Sequence, residues 1–262
     1  MVENPFTDPP PAEVPLANAP LIRVIAQLRF PMVTSIDRRD FIAPFQEAIR
    51  STYPILRQEL TQGVLFGATS ASPVLQTNTA WRFESEDRHW RVSLTSDFLA
   101  LETTRYTSRG DLLGRLETIA TALAVAVGPK LIDRLGIRYI DQISGDALTA
   151  IERLIRPEVR GLVGTPLESS IAHSITETIF TRSDAQVLAR WGRLPANVTI
   201  DPAAISPSDA ASWILDLDMF STRPVPFSVQ RVISDARAYM ERLYTFFRWA
   251  VTDEFLRHFG GK

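Results

Sequence analysis

From Leu21 onward the spacing of apolar residues switches repeatedly between two and about three and a half, and each switch marks an element. In Leu21–Phe30, Ile22, Val24, Ala26, Leu28 and Phe30 share one parity, while Arg23, Gln27 and Arg29 share the other. Period two with one buried face predicts a strand of an antiparallel sheet, ended by Pro31. The pattern then becomes helical. Asp40 is the expected N-cap of a helix reaching about Tyr53, with Phe41, Phe45, Ala48 and Ile49 on one side and Pro54 as its stop.

Strand signals follow. Gly63–Gly67 is short and apolar, and Thr69–Thr79 reads as a small-polar loop. Trp81–Glu84 and His89–Thr95 flank Ser85-Glu86-Asp87-Arg88, which suits a hairpin connection. Phe98–Thr104 is a further strand. Asp111 then caps a helix to about Val127, carried by Leu112, Leu116, Ile119, Ala120 and Leu123 and closed by Gly128-Pro129.

The same order returns. Arg134–Ile143 is a strand, and Asp146 caps a short helix with Leu148, Ile151 and Leu154. Ile171–Thr181, Ala185–Leu194 and Ser212–Phe220 read as strands, with a loop over Pro195–Pro207 that holds a short strand at Val198–Ile200. Ser228 opens the longest helix, whose stripe of Val232, Ala236, Met240, Leu243 and Phe247 runs to about Phe259. The expectation is an α+β protein of two tandem related β-α-β-β-β-α units, with a largely antiparallel sheet covered by long helices. The units span 21–130 and 131–262. Before them, residues 1–20 carry six prolines and form an extended or unstructured arm.

Composition narrows the chemistry. Hydrophobic residues make up 45% and charged residues 22%, as in ordinary globular domains. Net charge is -2, so no global field draws the chain to nucleic acid or acidic lipid. Cysteine is absent, which removes disulfides, thiol catalysis and cysteine-bound zinc. No apolar run reaches ~18 residues and the first residues lack a secretion signal, so a cytoplasmic protein with no membrane partner is expected. Lys occurs only at positions 130 and 262, and all other basic residues are Arg.

Several runs carry a family resemblance. They are Pro20–Pro31, Trp81-Arg82-Phe83, Val92–Glu102 and Arg134–Ile140. On these the chain resembles a sporadically distributed family of uncharacterised bacterial proteins of about this length. The resemblance brings no catalytic residues with it. It implies an accessory setting, such as a defence or toxin–antitoxin locus.

Residue by residue, catalytic signatures are weak. His89, His173 and His258 show no metal-ligand spacing. His173 and Ser174, adjacent on a strand, point to opposite faces and cannot act as base and nucleophile. Asp216 and Asp218, two apart on a strand, point the same way and are a weak candidate pair for Mg²⁺. Gly161–Gly164 lacks the Lys-Ser/Thr of a phosphate-binding loop. Arg23, Arg29, Arg91 and Arg138, with Thr95, are predicted on the sheet face away from the helices, as anion or partner contacts. Interleaved with Trp81, Trp90 and Tyr139, they can hold phosphates and stack on bases, or pair across strands with Glu84, Glu102 and Asp141. On the last helix, Tyr239, Tyr244, Phe246 and Trp249 lie off the main stripe, which suggests an interface or a covering segment.

The expected function is therefore a non-catalytic binding or regulatory component, acting on a protein partner or self-associating, with no cofactor. The alternatives are a nucleic-acid binder using the arginine face and, third, a Mg²⁺-dependent enzyme.

Overall fold

Alternating stretches from both ends of the chain pair into one nine-stranded antiparallel sheet. The computed structural model describes residues 2–65 and 74–261, and side chains outside 61–78. In chain order the strands are β1 (Leu21–Arg29), β2 (Ile55–Leu65), β3 (Val74–Glu84), β4 (Trp90–Leu94), β5 (Phe98–Thr103), β6 (Leu131–Ile132), β7 (Arg134–Ser144), β8 (Ser174–Thr181), β9 (Ala185–Leu194), β10 (Ser212–Ser221) and β11 (Val225–Pro226). The helices are α1 (Arg39–Ile49), α2 (Arg109–Ala126), α3 (Gly145–Thr149), α4 (Ile151–Leu154), α5 (Pro157–Arg160), α6 (Val229–Ala250) and α7 (Asp253–His258). The sheet order is β2-β3-β4-β5-β1-β7-β10-β9-β8, and β6 and β11 form a separate small ladder.

The chain divides into two compact units whose boundary falls inside β1, β7, β10 and α6. One holds residues 25–136 and 221–236. Here the indole N–H of Trp81 donates to the carbonyl of Ile36, and Phe45 of α1 meets Phe83 of β3 with ring centroids 5.5 Å apart. The start of α2 is capped by Ser108, whose hydroxyl accepts from the Asp111 amide. Asp111, the expected cap, is the third helical residue, where its charge still complements the helix dipole. Gly128 ends the helix region at φ 61°, a conformation glycine adopts without steric cost.

The ribbon of β2 and β3 departs from expectation. β2 begins at Ile55, directly after Pro54, and β3 begins at Val74, inside the stretch read as loop. Their register runs from Ile55 opposite Glu84 to Leu65 opposite Val74, whereas β4 pairs only with Trp81–Glu84. Positions 66–73 of the expected strand and loop lie outside the described residues. The polar run Arg57-Gln58-Glu59 hides β2 from a periodicity test. Cross-strand charge pairs explain it instead: Arg82 meets Glu59 at 3.0 Å, and Arg57 meets Glu84 at 3.7 Å.

The other unit holds residues 1–24, 137–220 and 237–262. Along β10, Trp213 to Leu217 are all buried, so both faces of this strand are covered. Val198–Ile200 is not a strand; it belongs to the irregular connection between β9 and β10. The last helix is shorter than expected. α6 stops at Ala250, and a new helix starts with Thr252 as N-cap, its hydroxyl accepting from the Phe255 amide. Thr252 is also held by its neighbours: its N–H donates to the carbonyl of Leu154 and its hydroxyl to that of Arg153. Val251 bridges to Ile155 in strand fashion. These long-range bonds compete with the i→i−4 ladder and win at Val251–Thr252.

Gly192 shows how close the β8–β9 pairing is. Its φ is 146°, and a Cβ there would lie 1.9 Å from the carbonyl oxygen of Ser174. Gly192→Ala should therefore lower unfolding stability by about 2 kcal/mol or more in urea titration. Gly114→Ala, where a Cβ meets nothing within 4 Å on a helix, should be neutral or stabilising by up to about 1 kcal/mol.

Candidate functional site

Two constellations of charged and aromatic side chains stand out, both within the unit that contains the N-terminal arm. The first is on the even-numbered face of β7 and β10. Arg138 donates from Nε to Asp216 Oδ1 at 2.7 Å and from Nη2 to Oδ2 at 2.9 Å, a bidentate fork. Arg190 of β9 donates to the same Oδ2 from Nε at 2.9 Å and Nη2 at 2.6 Å. Asp201, from the β9–β10 connection, accepts from Arg138 Nη1 at 2.8 Å. The Asp216 side chain is 1% exposed and those of the two arginines 14% and 16%. Burial favours the neutral form of Arg138, but the hydrogen bonds and charges of Asp216 and Asp201 outweigh it and hold the group above its ordinary value. Burial raises Asp201, and Arg138, helped by the Ala203 amide and the charge of Arg190, more than reverses this, leaving it below its ordinary value.

This geometry reassigns two sequence expectations. Both oxygens of Asp216 face guanidinium groups, so a cation placed there would meet two positive charges. Asp218 is half-buried on the same strand. Among the described residues no cluster of three or more His, Asp or Glu side chains has metal-binding geometry. Arg138, expected to meet an external anion, has its fork closed by internal carboxylates. Arg91 is similarly engaged, donating to Glu102 at 2.6 Å. Arg23 donates to the Ala203 carbonyl at 3.3 Å. Arg29 is exposed at the end of β1.

Asp141 is not a cross-strand partner of these arginines. The links Arg138–Asp216 and Gln142–Ser212 fix one antiparallel register of β7 on β10, which sets Asp141 on the opposite face, across from Trp213. It is 7% exposed, and burial alone pushes its carboxyl up to about 7. Among the described residues the buried indole N–H of Trp213 meets no acceptor.

The second constellation is a groove that holds the chain's own N-terminal arm. Phe6 inserts between Phe180 of β8, at 4.8 Å, and Phe246 of α6, at 5.8 Å. Trp249 backs Phe246 at 5.3 Å, and Arg156 lies over the Trp249 ring. Three arginines bond main-chain carbonyls of the arm. Arg156 donates to that of Val2 at 3.0 Å and Arg182 to that of Phe6 at 2.8 Å, while Arg242 donates to those of Pro5 and Asp8 at 2.7 and 3.0 Å. Tyr244 accepts from the Val14 amide and donates to the Ala12 carbonyl. Asn18 N–H closes the set on the Phe259 carbonyl.

Three of the four off-stripe aromatics of the last helix thus build this groove. Phe246 is 1% exposed, Tyr244 clamps the arm, and Trp249 supports Phe246; Tyr239 is half-buried. Sequence reading missed the arginines because they come from three distant places: the β-strand-like turn before α5, the end of β8 and the middle of α6. One sequence signal did point here. Residues 1–20 carry Glu3, Asp8 and Glu13 and no basic residue, which matches a basic groove. In the other unit, a shallow cavity is lined by Thr52, Tyr53, Asp111, Gly114, Arg115 and Thr118; burial raises the Tyr53 hydroxyl above its ordinary value, against the opposing pull of Arg115.

Comparison with protein-family models and with curated proteins found no match.

Asp216→Ala should destabilise the fold by about 3 kcal/mol or more, since it leaves two guanidinium groups buried against each other. Replacing Arg138, Asp216 and Arg190 together by Met, Leu and Met should cost less than that single change in the same urea titration. For Asp141, folding takes up a proton between its ordinary pKa of about 4 and the buried value of about 7. Stability from this group is therefore present at low pH and lost as pH rises through that window. Asp141→Asn should melt higher than the parent at pH 8, with the gap closing near pH 4, as followed by thermal denaturation.

Proposed function

We propose that this chain is a non-catalytic binding or regulatory component that acts on a protein partner. Its setting is an accessory bacterial system of defence or toxin–antitoxin type, as the resemblance implies. One observation carries the proposal: Arg156, Arg182 and Arg242 all bind main-chain carbonyls of one polypeptide segment, the turn at the start of the arm. Main-chain recognition by side-chain donors, with one aromatic anchor, is how proteins hold segments of other chains.

The internal closure of the Arg138–Asp216–Arg190 fork supports the same reading over the nucleic-acid alternative, because phosphate contacts need guanidinium groups open to solvent. It also weighs against an Asp216-centred enzyme. The strand order supports the tandem relationship of the two units: β1 is flanked by β5, β4, β3 and β2 in turn, and β7 by β10, β9 and β8. In each half the opening strand lies beside the closing strand, and the others follow outward in reverse order. We propose that the halves share one ancestral plan.

The test uses the full chain. Light scattering over a range of concentrations reads self-association, and co-expression with the product of an adjacent gene reads capture of a partner. The expected result is a complex at defined stoichiometry, weakened about tenfold by Arg182→Gln with Arg242→Gln. Oligonucleotide binding that falls steeply between about 50 and 200 mM salt, with no protein complex, would favour the nucleic-acid alternative.

A further inference from the structure

We infer that the groove on β8 and α6 is a binding site for an acidic segment of a partner protein that presents an aromatic anchor, and that the chain's own arm occupies it as an internal competitor. This rests on the functional proposal above and names its partner's chemistry.

Charge complementarity argues for the occupant. Arg156, Arg182 and Arg242 form no salt bridge among the described residues; each meets the arm through carbonyl oxygens. Other arginines of this unit pair with carboxylates, as at Arg138, Arg153, Arg190 and Arg193. Arg242 is held below its ordinary value by burial and by the nearby charge of Arg182. The groove therefore holds like charges that an anionic occupant relieves. The arm is such an occupant: its charged residues through Pro20 are Glu3, Asp8 and Glu13. Asp8 sits closest to Arg242, although its carboxylate also accepts the Glu3 and Asn4 amides and is lowered mainly by them.

The shape argues for exchange. Val2 and Pro5 are buried and Phe6 is seated between two rings, whereas Glu3, Thr7, Pro9 and Pro10 face solvent. Most of the arm's anchorage goes through main-chain carbonyls, presented by a turn in which the Asn4 carbonyl accepts the Thr7 and Asp8 amides. Side-chain selection falls on the position of Phe6 and, less, on Val2 and Pro5. Prolines at 9, 10 and 11 keep the arm extended, so a partner segment of similar stiffness loses little entropy on docking. A tethered arm competes at an effective concentration on the order of mM, which makes the intact chain a weak binder until the arm is released.

The experiment measures fluorescence anisotropy of a labelled synthetic peptide with the sequence of residues 2–16, against the full-length chain. Two arm variants release the groove: Phe6→Ala, and the charge reversal Glu3→Lys with Asp8→Lys and Glu13→Lys, which leaves Val2, Pro5 and Phe6 untouched. The wild-type chain should bind weakly and both variants at least about tenfold more tightly. Adding Arg182→Gln and Arg242→Gln to the charge-reversed chain should abolish that gain. A peptide carrying Lys at the three acidic positions should bind at least about tenfold more weakly than the parent peptide, as should one with Ala for Phe6. Equal binding by wild-type and arm-reversed chains, or by acidic and lysine peptides, would overturn the inference. Peptide binding without any partner complex would overturn the functional proposal and leave the groove assignment standing.

Discussion

A carboxylate buried in the middle of a sheet is the constraint around which one half of this molecule is arranged. Asp216 lies on a strand whose two faces are both covered, so its charge has to be met by protein groups rather than water. Two arginines from the flanking strands meet it, and that requirement fixes the register of β7, β10 and β9 against one another. A slip of one residue on any of these strands would turn an arginine into the apolar face and leave the carboxylate bare. Ionic pairing here acts as a device for specifying alignment as much as for adding stability.

The same reasoning separates two uses of arginine in the chain. On the sheet, forks and carboxylates lie within one compact unit and satisfy each other. Along the groove, guanidinium groups reach carbonyls, which carry only partial charge. Equal residue types thus differ in what remains for an outside molecule, and only placement distinguishes them. The burial of Asp141 makes a parallel point: its neighbour in sequence, Ile140, shares a face with Arg138, while Asp141 itself is turned into the apolar interior.

Much of the fold was legible because its signals are local. The alternation in Leu21–Phe30, the hairpin at Ser85–Arg88 and the stripe from Val232 to Leu243 each require only residues close by along the chain, and β1, β4 and α6 follow them. Ser228 does accept the Arg231 amide as expected of a cap. The misreadings share the opposite cause. β2 lacks alternation and is held by ion pairs to β3; the break at Val251–Thr252 depends on carbonyls of Leu154 and Arg153 nearly a hundred residues away. The Asp216–Asp218 repeat suggested a ligand pair since period two places both on one side, yet the arginines that claim Asp216 come from other strands. The arm was read as extended or unstructured; it turns at Asn4–Asp8 before it runs on without regular structure, and a lone Phe6 among prolines gives no hint of two receiving rings.

The contrast between enclosed and open arginines has a consequence for behaviour in salt. Mobile ions screen half-exposed charges far more effectively than desolvated ones. Raising ionic strength therefore loosens whatever acidic segment lies along the groove while the interior cluster keeps its hold. On the proposed reading, a neighbour seated there is released reversibly by salt while the chain stays folded.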